Sequence, residues 1–425
     1  MSEASPQRSR ARELADRIAD EALDLARASV PDCVRDLLPR LPPPRARVRV
    51  AAVGKAAATM ARVALDAWRG RIERALVVVP EGADVSGLEG ADVLFAAHPL
   101  PDARSLAAGS ALLDLARGLG PADVLLVLLS GGASALACAP VPGFSLDRER
   151  DLVERLLGSG LAIADVNCVR GHLSSIKRGG LAIAAYPART LTLVVSDVLG
   201  GDDVSTVGGA PTVLAPNELS RFEALVRDVA PDEAEALVAL ASRRADHALS
   251  SEERAEAARR TRIVRAAGPE LLVQCAEIAA EHAGRPGIVL PPMSRAVEHE
   301  AERIAKFLLH AKHEVVGLVH GEPTVTIAGP AGRGGRMGRL ALLVARAIAE
   351  RPDRAIAVRA SDGVDGVGGL GGASCDATTW SALGAAGAAA LDGYDDVTAH
   401  LAHGHVRPAR PSGVNLLDLV VVVRS

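Results

Sequence analysis

Hydrophobic and polar positions along this chain alternate between a helical and a strand period. An amphipathic helical repeat runs from about Arg10 to Ala28. Arg47-Val-Arg-Val-Ala-Ala-Val then reads as a first strand that ends at Gly54-Lys55 and enters a helix over Ala56–Trp68. Further strands are expected over Ala75–Val79, Val93–Ala97, Val124–Leu129 and Thr190–Ser196, with helices over Ala103–Gly118 and Asp147–Leu157. The run Asp123–Leu129 (DVLLVLL) is apolar after its first residue, the signature of a strand covered on both faces. Strands and helices in this alternation predict a mostly parallel, doubly wound sheet.

From Pro231 to Arg265 the chain turns charged and Ala-rich, which reads as helices bridging two domains, with a boundary near Ser250. Beyond it the pattern predicts helices over Pro269–Ala283, Val297–Leu309 and Leu340–Glu350. The strands expected there are Gly287–Leu290, Val315–Val319, Thr324–Ala328, Ala355–Ala360 and Leu419–Val423. The expected architecture is therefore two α/β domains, residues 1–250 and 260–425. A length of 425 residues agrees, being too long for one ordinary core.

Composition narrows the partners. Apolar residues make up 49% but aromatics only 2%, so the core must be built from Ala, Val, Leu and Ile. A net charge of −4 without a long basic block argues against nucleic acid or an anionic membrane, which points to a small ligand. Five cysteines with no C-x-x-C pair indicate neither a zinc site nor a disulfide framework, which fits a reducing cytoplasm. The polar, then amphipathic, first residues contain no apolar secretory segment, and no apolar run is long enough to span a membrane. Of 48 basic residues only four are lysine, and Lys55 and Lys177 lie in Gly-flanked segments where a compact ammonium serves better than a guanidinium.

In a doubly wound sheet, ligands bind outside the carboxyl ends of the strands. Gly54-Lys55, Ser130-Gly131-Gly132-Ala133-Ser134 and Ser196-Asp197 all fall there. Small residues in a strand-to-helix turn let backbone amides approach an anion. Lys55 is placed to reach phosphate or carboxylate, and the Gly332–Arg339 loop offers Arg333, Arg336 and Arg339 as fork donors. Among carboxylates that hold Mg²⁺ or take a proton, Asp197 follows the apolar run Leu191–Val195 and is best placed, with Asp202, Asp203, Asp362, Asp365 and Glu322 behind it.

Ten segments in register carry a resemblance over nearly the whole chain. They include VGKAA (53–57), HPLPDARSLAAG (98–109), LLSGGASAL (128–136), VNCVRGHLSSIK (166–177), SDVLGGDD (196–203), HGEPTVTI (320–327), GRGGR (332–336), SDGVDG (361–366) and SGVN (412–415). On these motifs the chain resembles class II glycerate kinases, whose C-terminal half is a MOFRL domain and which are often labelled hydroxypyruvate reductases. The resemblance implies ATP- and Mg²⁺-dependent phosphorylation of D-glycerate to 2-phosphoglycerate, with the site in a cleft between a Rossmann-like domain and the MOFRL domain.

Carried onto this sequence, the resemblance implies Lys55, Arg336 and Asp197 as catalytic residues, with Asp197 and Asp362 for the metal. It further implies substrate or nucleotide contacts from Gly54, Ser130, Gly131, Gly132, Ser134, Asn167, Arg170, Lys177, Glu322 and Asn415. Asn167, Arg170, Ser174 and Lys177 fall at helical spacing and would share one face. The expected partners are glycerate and a nucleotide, with a homodimer as the candidate assembly.

Departures from the family pattern concentrate late in the chain, at Met337-Gly338-Arg339 after the Gly-Arg loop and at Val367-Gly-Gly-Leu-Gly-Gly after Asp362–Gly366. They leave room for a different hydroxy acid or for loss of the kinase activity. The rival reading, an NAD(P)H-dependent reductase, would rest on Gly366-x-Gly368-x-x-Gly371 with Asp392 some twenty residues on, as in dinucleotide fingerprints.

Overall fold

The computed structural model describes residues 6–38, 47–200, 204, 206–216, 218–244 and 249–425. Asp202 and Asp203 lie outside them. The chain divides into two compact units, one of Pro31–Ser196 with Gly200–Ala266, the other of the chain up to Val30, Asp197–Leu199 and Ala267–Ser425. The expected division at 1–250 and 260–425 did not anticipate that the N-terminal helix, Pro6–Leu37, begins in the C-terminal unit.

The N-terminal unit holds β1 (Val48–Val53), β2 (Ile72–Pro80), β3 (Asp92–Ala96), β4 (Val124–Ser130), β5 (Arg189–Val195) and β6 (Thr261–Ala267). Their order is β3-β2-β1-β4-β5-β6, and each pair from β3 through β5 runs parallel. This is the doubly wound order expected of a Rossmann-like sheet. All seven residues of β4 are buried, as its apolar run predicts for a central strand.

The charged stretch Pro231–Arg265 differs from its expected bridging role. The helix Ala234–Ala241 buries Leu237 and Leu240 against Phe222 and Val226, forming a core within the N-terminal unit. The segment then closes with β6 at the sheet edge. Ile263-Val264 was the local signal for that strand, outweighed by the surrounding Ala, Glu and Arg.

The C-terminal unit holds β7 (Gly287–Val289), β8 (Val315–Gly321), β9 (Arg354–Ala360), β10 (Leu370–Asp376), β11 (Val406–Pro408) and β12 (Asp418–Arg424), in the order β11-β10-β9-β12-β8-β7. The sheet is mixed: only β7 pairs in parallel, and the other pairs are antiparallel. No strand forms over Thr324–Ala328, where a single bridge from Thr324 to Ala296 replaces it. The glycine-rich stretch after Gly366, for which no strand was expected, supplies β10, every residue of which is buried.

Arg359, at the middle of this sheet, is 2% exposed. Its guanidinium donates to Asp20 (2.7 Å) and Asp16 (2.6 Å) on the N-terminal helix. This buried cation with two carboxylate partners ties the helix to its own unit. Burial by itself would raise the Asp20 carboxyl, but hydrogen bonds from Arg407 and Arg359 hold it below the usual range.

Candidate active site

Strand order reverses between β1 and β4, and the crevice at such a reversal is where open α/β sheets bind ligands. β1 ends in Gly54-Lys55 and β4 in Ser130-Gly131-Gly132, so the two expected motifs flank this point. The strand ends are bonded to each other: Lys55 N–H donates to Gly131 O (2.9 Å) and Ala56 N–H to Ser130 Oγ (2.9 Å). Gly54 is required by contact as well as conformation. Its φ is +126°, and a Cβ would lie 2.2 Å from Ser130 Oγ.

Gly132, at φ +83°, caps a helix of only four residues, Ala133–Leu136. So short a helix adds little dipole, and recognition at this turn rests on side chains more than on a helix N-terminus. The stem of half-buried Lys55 and the His98 ring both border Gly132, within 3.1–3.4 Å of where a Cβ would stand. The His98 neighbourhood was not assigned a role from sequence. The sequence marked His98 only as the first residue of the HPLPDARSLAAG motif, just beyond the end of β3.

A second group adjoins this turn. Arg170, on the helix Ile163–His172, donates to Ser134 Oγ (3.1 Å). The helix stops there, so Ser174 and Lys177 do not continue its face as expected. Asn167 stays on it, exposed.

Lys177 is 4% exposed, its stem packed on Gly209. Its Nζ is 3.8 Å from Glu149 Oε1, too far for a hydrogen bond, and has no hydrogen-bond partner among the described residues. Arg170 Nε is likewise unpaired. Burial, reinforced by the Arg170 charge, pushes the Lys177 ammonium down to about 8. Buried Arg244 donates to the carbonyls of Gly171, Ser174 and Lys177 and so holds the turn that presents this lysine. Burial pushes the neighbouring Cys138 thiol up to about 11, which makes it a poor nucleophile.

In the C-terminal unit, Arg336 opens the helix Arg336–Ala347. Its Nε donates to Asp418 Oδ2 (2.8 Å) and its Nη1 pairs with Glu322 Oε1 (2.5 Å). Arg336 is thus a fixed guanidinium rather than a loose surface side chain. Three amides around the start of this helix are already taken. Asp365 accepts from Met337 (3.1 Å) and Gly338 (2.7 Å), and Asp396 from Gly335 (3.3 Å). Complete burial raises the Asp418 carboxyl, with Arg336 pulling it back, and burial pushes Asp396 up to about 7. Asp396 and Asp418 were missed from sequence because only the fold brings them to this loop.

Asp197 groups with the C-terminal unit, where its Oδ2 accepts from Asn415 Nδ2 (2.7 Å). Asp362 folds back to accept the Val364 amide (2.9 Å). No group of three or more His, Cys, Asp and Glu side chains among the described residues is arranged as a metal cage. Mg²⁺ in nucleotide sites is commonly held by one or two carboxylates together with phosphates, and single carboxylates of this kind fit that mode. The Gly366-x-Gly368-x-x-Gly371 fingerprint fails structurally. It joins β9 to antiparallel β10, and Gly371 lies inside β10 instead of opening a helix. No helix of the described residues is long and apolar enough to cross a membrane.

Residues 14–241 match the family described as Domain of unknown function (DUF4147), and residues 315–418 match the MOFRL family. A protein of Agrobacterium vitis, provisionally named hydroxypyruvate reductase, is 33% identical over 326 residues, covering 75% of this chain and 70% of that one. The D-glycerate 2-kinase of Thermotoga maritima is 36% identical over 195 residues, covering 45% of this chain and 46% of the kinase. The alignment with human glycerate kinase is 44% identical and covers 28% of this chain and 23% of the human protein. The matched stretches therefore span less than half the length of either kinase. A crystal structure of glycerate kinase from Thermotoga maritima superimposes with a TM-score of 0.80 at 24% identity, covering 98% of this chain and all of that one. With both domains matched in order and the fold shared end to end, the chain belongs to the family that joins a DUF4147 domain to a MOFRL domain.

Proposed function

We propose that this protein is a glycerate kinase that transfers the γ-phosphoryl group of ATP to a hydroxyl of D-glycerate, giving 2-phosphoglycerate. The observation that carries the reading is the bonded pair of strand ends at the β1/β4 reversal, which sets Lys55 beside the Ser130–Gly132 turn. Named relatives add the substrate: the Thermotoga maritima protein is a D-glycerate 2-kinase.

In this reading the glycerate oxygen attacks γ-phosphorus as the bond to the bridging oxygen of ADP breaks, and the hydroxyl proton passes to Asp197. Lys55 and Arg336 offset charge on the phosphoryl oxygens. Mg²⁺, held by Asp197 and Asp362 with the phosphates, would supply further charge neutralisation. Arg336 stays oriented because Asp418 and Glu322 grip two of its nitrogens, while a guanidinium has five N–H donors in all. Ser134, Arg170 and Lys177 serve as the carboxylate contacts of glycerate.

ADP release coupled to a reporter, run over glycerate and a panel of small 2-hydroxy acids, tests the assignment. Turnover with glycerate and none on reducing hydroxypyruvate with NADH or NADPH is the expected result. Hydroxypyruvate reduction without ADP release would replace it with the reductase reading.

The titration of Lys177 gives a second check. Protonated below about 8 and neutral above it, the ammonium loses its hold on a carboxylate as pH rises. The kcat/KM for glycerate should therefore fall through pH 8, and Lys177→Arg, which stays charged, should flatten that limb. An unchanged limb in the Arg variant would remove Lys177 from substrate binding.

A further inference from the structure

The C-terminal unit contains a pocket of about 700 Å³ beside the Gly-Arg loop, far larger than a three-carbon acid requires. Part of its wall is exposed apolar surface: Ile327 is 55% exposed and Val367 77%, with Val325 and Tyr394 beside them. The Tyr394 ring is fixed from both ends. Its hydroxyl donates to Thr326 O (3.1 Å) and accepts from Ala328 N (3.2 Å), while the Arg339 guanidinium lies over the ring at 4.7 Å. Such a surface suits a flat, largely uncharged group.

Charge around the pocket argues the same way. The Met337 and Gly338 amides in the first turn of the helix Arg336–Ala347 already serve Asp365, and the Gly335 amide before it serves Asp396, so these three are not available to a phosphate. Arg339 is committed to Glu298 (3.0 Å) and to Leu391 O (2.6 Å), and Arg333 to Gly368 O (2.6 Å). Glu322 and Asp396, also in the lining, are acceptors for N–H and O–H donors, while Arg336, in the lining as well, is held by Glu322 and Asp418 and leaves the pocket one cation at its edge. A purine nucleoside combines the required features: a planar apolar face, an amino group and ribose hydroxyls.

We infer that this pocket binds the nucleoside half of the nucleotide, with the base against Val325, Ile327, Val367 and Tyr394. The inference rests on the kinase reading for its choice of ligand, so its test begins with binding alone. Adenosine is titrated calorimetrically into the full chain and into Val367→Asp and Val367→Trp. Both substitutions alter an exposed side chain, and unchanged melting temperatures confirm intact folds. The expected result is adenosine binding by the native protein, weakened at least tenfold in both variants. In the kinase assay the variants should raise KM for ATP at least tenfold and leave KM for glycerate unchanged. Absent adenosine binding, equal binding in all three proteins, or a rise confined to KM for glycerate would overturn the assignment. Failure of glycerate turnover alone would count against the kinase reading, while adenosine binding lost in the variants would still support the pocket.

Discussion

Lys55→Ala is expected to lower kcat/KM for glycerate phosphorylation by about 10²–10³-fold, the loss typical of removing one preorganised charge-stabilising donor. The position supports so large an effect. Lys55 leaves the carboxyl end of β1, its amide bonded to Gly131 and its stem against Gly132 at the strand-order reversal. A cation held there needs no reorganisation when charge builds on the phosphoryl group. Lys55→Arg should retain part of the rate, since the charge survives but its shape differs. Thermal stability should change by less than about 1 kcal/mol, because a half-buried lysine contributes little to the core. Lys306→Ala, which removes an exposed lysine, serves as the control. Full activity in Lys55→Ala would take the β1/β4 reversal out of the chemistry.

Gly54→Ala should cost about 3 kcal/mol or more of stability, combining overpacking with left-handed backbone strain. The new Cβ would sit 2.2 Å from Ser130 Oγ and 2.6 Å from Ser130 O, and the backbone lies at φ +126°. Neither obstacle is the far end of a flexible chain. Relief requires the β1 and β4 ends to separate, which breaks the bonds aligning Lys55 with Gly131. Gly90→Ala isolates the backbone contribution, for Gly90 has φ +94° but no atom within 4 Å of a Cβ. The comparison is read from urea unfolding: a Gly54 variant no less stable than the Gly90 variant would show that the strand ends need not touch. Activity should fall with stability in Gly54→Ala and not in Gly90→Ala.

Much of this site was legible because its motifs sit where local pattern is strongest. Apolar runs mark β1 and β4, and a run that stops at Gly-Lys or Ser-Gly-Gly marks a strand end. Lys177 was selected for its rarity among arginines, but its burial and its missing hydrogen-bond partner depend on Gly209, Glu149 and Arg170, which arrive from three other segments. Arg336 was selected within its loop by family pattern, whereas its grip by Asp418 and Glu322 is a product of folding. β10 shows where local signals mislead. Its Leu-Gly-Gly-Ala-Ser-Cys-Asp has weak strand propensity, yet between β9 and β11 its backbone finds partners on both sides.

The amino-acid sequence by itself determined the two α/β units, the strands that end in Gly54-Lys55 and Ser130-Gly131-Gly132, and the family to which those motifs belong. These are statements about neighbours in the chain, where hydrophobic period and backbone freedom act locally. Tertiary structure alone decided that β1 lies beside β4, that a buried ammonium faces Glu149, that carboxylates occupy amides where the Gly-Arg loop enters its helix, and that a partly apolar pocket remains beside it. Each of those depends on burial and on partners distant in sequence, which set the energy of a charge or a cavity without leaving a period in the chain.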